Sequence, residues 1–199
     1  MSSVQLALEG GASMVQYRDK TQNHLKRKEE ALALVQLCDA FDVLFLVNDD
    51  IELATLIHAD GVHIGKDDET LHKARTLLGN DKLIGVSCYN SIERATLATS
   101  QGADYIAFGR FFPSRIKPEA PKAELDTIRK AQSLEIPIAA IGGITLDKAP
   151  LLIAAGVNLL AVIGAVFGAD DPKHATKNFM ALFDGAHNQK TGEPARPLI

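Results

Sequence analysis

Carboxylates follow two successive apolar runs: Asn48–Asp49–Asp50 after Val43–Val47, and Lys66–Asp67–Asp68 after Val62–Ile64. A hard divalent ion such as Mg²⁺ takes one or two carboxylates together with substrate phosphate oxygens. Asp49 and Asp68, on neighbouring runs, are therefore the candidate ligands of one shared Mg²⁺. Basic and polar groups follow other runs. Gln16, Arg18, Asp19 and Lys20 lie at and beyond Met14–Tyr17, and Ser87 and Cys88 follow Leu83–Val86. The long segment Gly109–Ala123 carries Arg110, Ser114, Arg115 and Lys117. Arg18, Lys20 and Lys117 are phosphate partners by charge and geometry. Gly142–Gly143, and Gly164 after Leu159–Ile163, would turn backbone N–H groups toward a phosphate. The sum is a site for two phosphorylated ligands and a metal.

Each element also has a structural reading. Asp50 could cap the helix that follows it, and Asp67–Asp68 could cap one starting near Glu69. Arg18–Asp19–Lys20 could be a solvated loop, and Gly142–Gly143 a tight turn. His63, between Val62 and Ile64, reads as a packed interior histidine rather than a catalytic base. Cys38 lies on the apolar face of a helix and reads as core; Cys88 reads as packing.

The elements that must carry these residues alternate. The apolar runs are Met14–Tyr17, Val43–Val47, Val62–Ile64, Leu83–Val86, Tyr105–Phe108, Ile138–Ile141 and Leu159–Ile163. Short, continuously apolar runs predict strands buried on both faces, as in parallel sheets. Helical periodicity lies between them, over 24–40, 50–58, 91–101 and 146–155, and the chain opens in a helix, Ser3–Glu9. Four junctions share one pattern: GGASMVQ, ADGVHIG, QGADYIAFG and AGVNLLAVIG. In each, glycine is expected to end a helix in the left-handed conformation just before a strand. Strands alternating with helices leave two architectures, a doubly wound sheet or a (β/α)₈ barrel. Polar and glycine residues collect after the strands, where a barrel keeps its function. The expectation is a (β/α)₈ barrel lacking its first strand, with a seven-stranded open sheet as the alternative. Residues 1–184 form the barrel domain, and 185–199 lose periodicity and read as a flexible tail.

The chain has 199 residues, 46% hydrophobic and 23% charged, with a formal net charge of −4. Those values describe an ordinary globular domain and argue against nucleic-acid binding, which needs a basic excess. No apolar run reaches the roughly 18 residues of a membrane span, and no signal-peptide pattern opens the chain. Two cysteines without metal-ligand spacing fit a reducing compartment, so a cytoplasmic location is expected. Self-association is left open.

The segments GGASMVQYRDK, FLVNDDIELA, ADGVHIGKDD, GVSCYN, GADYIAFGRFFPSRIK and AIGGIT occur in the order seen in thiamine-phosphate synthases, over residues 4 to 183. The chain resembles that family. The resemblance implies a transferase of thiamine biosynthesis that joins a pyrimidine diphosphate to a thiazole phosphate with Mg²⁺. It implies a pyrimidine-diphosphate site of Gln16, Arg18, Lys20, Asn48, Ser87 and Lys117, with Mg²⁺ on Asp49 and Asp68. It implies a thiazole-phosphate site of Ser114, Arg115, Gly143 and the Ile163–Gly164 backbone. Catalysis would fall to Lys117, Arg18 and Lys20, which stabilise the leaving diphosphate. Lys66, Arg110, Ile116 and Gly164 stand where the family often has glutamine, proline, threonine and serine. These departures bear on thiazole-phosphate binding more than on metal binding. The family's first strand is absent, which implies a further strand ahead of residue 1. A related thiazole tautomerase and an inactive phosphate-binding barrel are the alternatives.

Overall fold

The computed structural model describes residues 2–65, 71–113 and 121–187. Seven parallel strands form one sheet in chain order: β1 (Met14–Tyr17), β2 (Leu44–Asn48), β3 (Gly61–Ile64), β4 (Leu83–Tyr89), β5 (Tyr105–Gly109), β6 (Ile138–Ile141) and β7 (Leu159–Ala161). The helices between them are α1 (Ser2–Glu9), α2 (His24–Ala40), α3 (Ile51–Leu56), α4 (Leu71–Leu78), α5 (Ile92–Ser100), α6 (Leu125–Ala131), α7 (Ala149–Ala155), α8 (Gly164–Phe167) and α9 (Pro172–His187). A 3₁₀ turn, Gln132–Leu134, extends α6.

Strand order that follows chain order means each crossover advances by one position in the same direction. Repeated right-handed crossovers of that kind curl a sheet toward a barrel. The curl brings the first and last helices together. Lys173 of α9 bonds Glu9 of α1 at 2.8 Å, and the backbone of Gly10 lies against Lys173 and Thr176. β1 and β7 remain the two edges of the sheet, so the strands of the described residues form a curled open sheet.

Apolar side chains fill both faces. The larger cluster lies between sheet and helices and includes Phe45, Val47, Val62, Ile84, Ile106, Phe108, Ile138 and Leu160. A smaller inner cluster consists of Met14, Leu46, Tyr105, Ala107 and Ala139. This two-sided burial is why the strands read as continuous apolar runs. On α2, Leu25 and Leu32 are exposed, and Ala31 and Cys38 take the buried positions.

Three of the four glycine junctions behave as expected: Gly11, Gly102 and Gly156 have φ of 97°, 87° and 107°. The fourth differs. Gly61 belongs to β3, and the left-handed residue after α3 is His58, at φ 56°. Glycine is needed at 61 because a side chain there would run into the backbone of Leu83 on β4. The Asp-Gly pair is thus a strand-packing signal, not a helix stop. Helix α9 continues through His187, and residues 188–199 of the expected tail lie outside the described residues.

Candidate active site

The carboxyl ends of β1 and β2 form one corner. Their register pairs Tyr17 with Val47, so residues 18–20 and 48–50 emerge side by side. Gln16 donates from Nε2 to Asn48 Oδ1 at 2.8 Å, and Lys20 forms an ion pair with Asp49. Lys20, Asn48 and Asp49 border an open cavity of about 460 Å³ that Asp19, Arg27 and Asp50 also line. Asp19 shapes the loop. Its carboxylate accepts from the Thr21 N–H at 2.8 Å and the Thr21 hydroxyl at 3.0 Å. That backbone bond, together with the Thr21 hydroxyl and nearby Lys26, holds the Asp19 carboxyl below its ordinary pKa.

Adjacent aspartates have separate roles. Asp50 caps α3, accepting from Leu53 N–H at 2.8 Å, and pairs with Arg27 at 2.6 Å. Asp49 does neither. Its backbone is left-handed, φ 68°, and its N–H donates to the His63 carbonyl at 2.9 Å. A non-glycine residue in that conformation is uncommon, with aspartate among the types that tolerate it. The turn directs the Asp49 carboxylate toward Lys20 instead of the helix.

The next cluster lies inside the sheet across β3, β4 and β5. His63, Gly85 and Tyr105 are neighbours in consecutive register. A side chain at Gly85 would collide with the Tyr105 ring, so glycine lets the tyrosine reach over β4 to His63. The Tyr105 hydroxyl lies 2.8 Å from His63 Nδ1, and Ser87 Oγ lies 2.8 Å from His63 Nε2. Burial pushes the Tyr105 phenol well above its ordinary pKa, so it keeps its proton. His63 is buried, as expected for a packed histidine. Cys88, one residue past Ser87, faces the core with no exposed surface, and burial raises its thiol to about 11.

Arg94 of α5 ties two strand ends together. It donates to the Ser87 carbonyl at 2.6 Å and to the Gly65 carbonyl at 3.2 Å. Asn90, just past β4, accepts from Glu124 N–H at 3.0 Å and Thr127 Oγ1 at 2.6 Å. Arg110 bonds Pro121 and Ala123 through the backbone, at 3.2 and 2.8 Å, so residues 121–123 lie alongside the tip of β5. Sequence reasoning missed Tyr105, Arg94 and Asn90. The legible signal for Tyr105 was a hydroxyl at the start of an otherwise apolar run. Arg94 and Asn90 gave none, because their partners are brought alongside only when neighbouring elements pack.

The remaining candidates are dispersed or undescribed. Arg18 is exposed on the β1 loop, next to the cavity-lining residues. Gly143, φ 63°, follows β6 beneath the carbonyls of Phe112 and Pro113, which leave no room for a side chain. Close backbone approach therefore accounts for glycine at 143. Gly164 opens α8 in free space, and the preceding Ile163 is exposed. Lys66, Asp68, Ser114, Arg115, Ile116 and Lys117 lie outside the described residues. Asp49 offers a hard carboxylate oxygen at an open, cation-bordered cleft, a donor type that fits Mg²⁺ bound jointly with phosphate. Among the described residues no cluster of three such ligands forms, so any ion here would depend on substrate oxygens or on the segment after Gly65.

A family model described as thiamine monophosphate synthase matches residues 1–166. The thiamine-phosphate synthase of Azoarcus sp. (strain BH72) is 48% identical over 184 residues, covering 92% of this chain and 89% of the relative. That of Marinobacter nauticus is 51% identical over 187 residues, covering 93% and 84%. The solved thiamine phosphate pyrophosphorylase from Pyrococcus furiosus superposes with a TM-score of 0.86 at 36% identity, covering 93% of this chain and 89% of that one. With the family model matching residues 1–166 and synthases about half identical to it over some nine-tenths of its length, the chain belongs to the thiamine monophosphate synthase family.

Proposed function

We infer that this chain catalyses the condensation of a pyrimidinylmethyl diphosphate with a thiazole phosphate, giving thiamine phosphate and diphosphate. The observation that carries this reading is the corner where Lys20, Asp49 and Asn48 line an open cleft, with Gln16 bonded to Asn48. Family membership supplies the substrates. We read the curled sheet as a (β/α)₈ barrel with one strand position open between β1 and β7. Free buried thiols at Cys38 and Cys88 fit a cytoplasmic setting.

The chemistry follows from charge. The bond from the pyrimidine methylene to the diphosphate oxygen breaks, the methylene becomes cation-like, and the thiazole nitrogen forms the new bond. Diphosphate gathers negative charge as it leaves. Arg18, Lys20 and Lys117 stabilise that charge, and Ser87 donates a hydroxyl hydrogen bond to the same anion. Asp49 and Asp68 would hold Mg²⁺, which supplies charge neutralisation to the diphosphate oxygens. Gln16 and Asn48 orient the pyrimidine side of the cleft. Ser114, Arg115, Gly143 and the Ile163–Gly164 backbone hold the thiazole phosphate. The nitrogen nucleophile is neutral, so the site has to position it rather than deprotonate it.

A coupled assay with both substrates tests the reading. Product forms with Mg²⁺ and stops when the metal is chelated. Conversion of the thiazole phosphate alone, without metal, would instead identify an isomerase. No turnover, with no thermal stabilisation by Mg²⁺ plus diphosphate, would leave a non-enzymatic barrel.

A further inference from the structure

The buried line from Tyr105 through His63 to Ser87 is more than packing. A phenol that keeps its proton in an apolar interior must donate it, because an unmade hydrogen bond there is costly. His63 Nδ1, at 2.8 Å, is the acceptor the geometry offers. A nitrogen that accepts carries no proton, so the neutral imidazole holds its proton on Nε2. Nε2 then donates to Ser87 Oγ at 2.8 Å. Ser87 is thereby committed as acceptor on that side, and its own proton remains for another partner. Ser87 is only partly buried, and it stands toward the carboxyl end of β4, two residues beyond Gly85.

We propose that Tyr105 is a positioning residue: through His63 it fixes the direction of the Ser87 hydroxyl, making Ser87 a dedicated donor to an anionic substrate oxygen at the strand tips. The recipient is a phosphate-type oxygen, since a committed donor suits an anion and fails an amino or ammonium group. The reverse chain, with Ser87 donating to Nε2, would leave the Tyr105 proton facing a protonated Nδ1. Gly85 is part of the device, because a side chain there would exclude the ring that reaches His63. The recipient's identity rests on the function proposed above; the direction of the chain does not.

Two measurements decide it. Nitrogen-15 NMR of the substrate-free protein, with His63 assigned among the six histidines by a His63→Gln variant, reads the tautomer directly. The expected result is a proton on Nε2 in the native chain and a growing share on Nδ1 in Tyr105→Phe, which keeps the ring. A proton on Nδ1 in the native chain overturns the proposal, whatever the activity. In steady-state kinetics, Tyr105→Phe lowers kcat about tenfold and changes KM by less than about twofold, since the donor matters most as charge develops. Combined with Ser87→Ala, it causes no further loss. An equal loss from Tyr105→Phe in the Ser87→Ala background would assign Tyr105 a role in packing alone. If the native chain converts neither substrate, the reaction assignment fails, while the tautomer still decides the relay.

Discussion

The two ends of the sheet use the same residue types in opposite ways. At the amino ends, Asp60, Asp104 and Asn158 each stand just before a strand and clamp the preceding one. Their side chains accept from the N–H of Phe45, Ile84 and Ile138 at 2.8, 2.7 and 2.9 Å. Their own N–H groups return bonds to the carbonyls of those same residues, at 2.9, 2.9 and 2.8 Å. The clamp recurs at β2–β3, β4–β5 and β6–β7, once in every two strands. Arg75 reinforces one copy, bonding Asp104 at 2.6 Å and three nearby carbonyls at 3.0 Å or less. At the carboxyl ends, Asp49 and Lys20 pair across a cleft, on a loop where Asp49 is held left-handed. An aspartate bonded to backbone at both ends of its residue holds the fold. An aspartate turned from its helix pairs instead with a cation at the open cleft. Asp50 belongs with the first kind although it sits at the second end.

The widest separation between the two ends is expected from matched substitutions. Asp49→Asn removes the charge while keeping a residue that tolerates the left-handed backbone. Turnover at limiting Mg²⁺ should fall on the order of a hundredfold or more, with the urea midpoint little changed. A large loss of stability with normal activity per folded molecule would place Asp49 with the structural aspartates. Asp104→Ala should do the converse. It strands the Ile84 N–H and removes the ion pair of Arg75, costing about 2 kcal/mol in urea unfolding, with kcat preserved in the folded fraction.

A smaller effect tests the two sides of β4. Burial raises the Cys38 thiol to about 12 and that of Cys88 to about 11, from an ordinary 9.0. As pH rises past 9, the unfolded chain releases thiol protons that the folded chain retains. Stability contributed below that pH is therefore lost between about 9 and 12. Urea midpoints should fall across this window, and alkylating reagents at pH 8 should modify neither thiol until the chain unfolds. Rapid native-state labelling of Cys88 would mean that its thiol is open to solvent at the strand tips. The smallest effect is expected at Gly164, where a side chain meets nothing nearby. Gly164→Ser adds a hydroxyl donor at the tip of β7 and should lower KM for thiazole phosphate a few-fold, about the worth of one hydrogen bond, with stability unchanged.

The alternation of apolar runs with helical stretches and the placing of polar groups after the strands were legible in the residues. Burial on both faces of a parallel sheet imposes a pattern that depends only on neighbours in the chain. Glycine was legible as a requirement but not as a reason: Gly61 and Gly143 answer to backbone on other elements, not to turns of their own.

Composition and spacing by themselves determined an α/β chain whose strands end in carboxylates and cations. Only the tertiary structure decided that Asp49 faces Lys20 while Asp50 caps a helix, and that Tyr105 crosses Gly85 to reach His63. Side-chain direction depends on the local φ and on which residue of the next strand stands alongside. Both are set when the strands register against each other, and neither is written in the order of the residues.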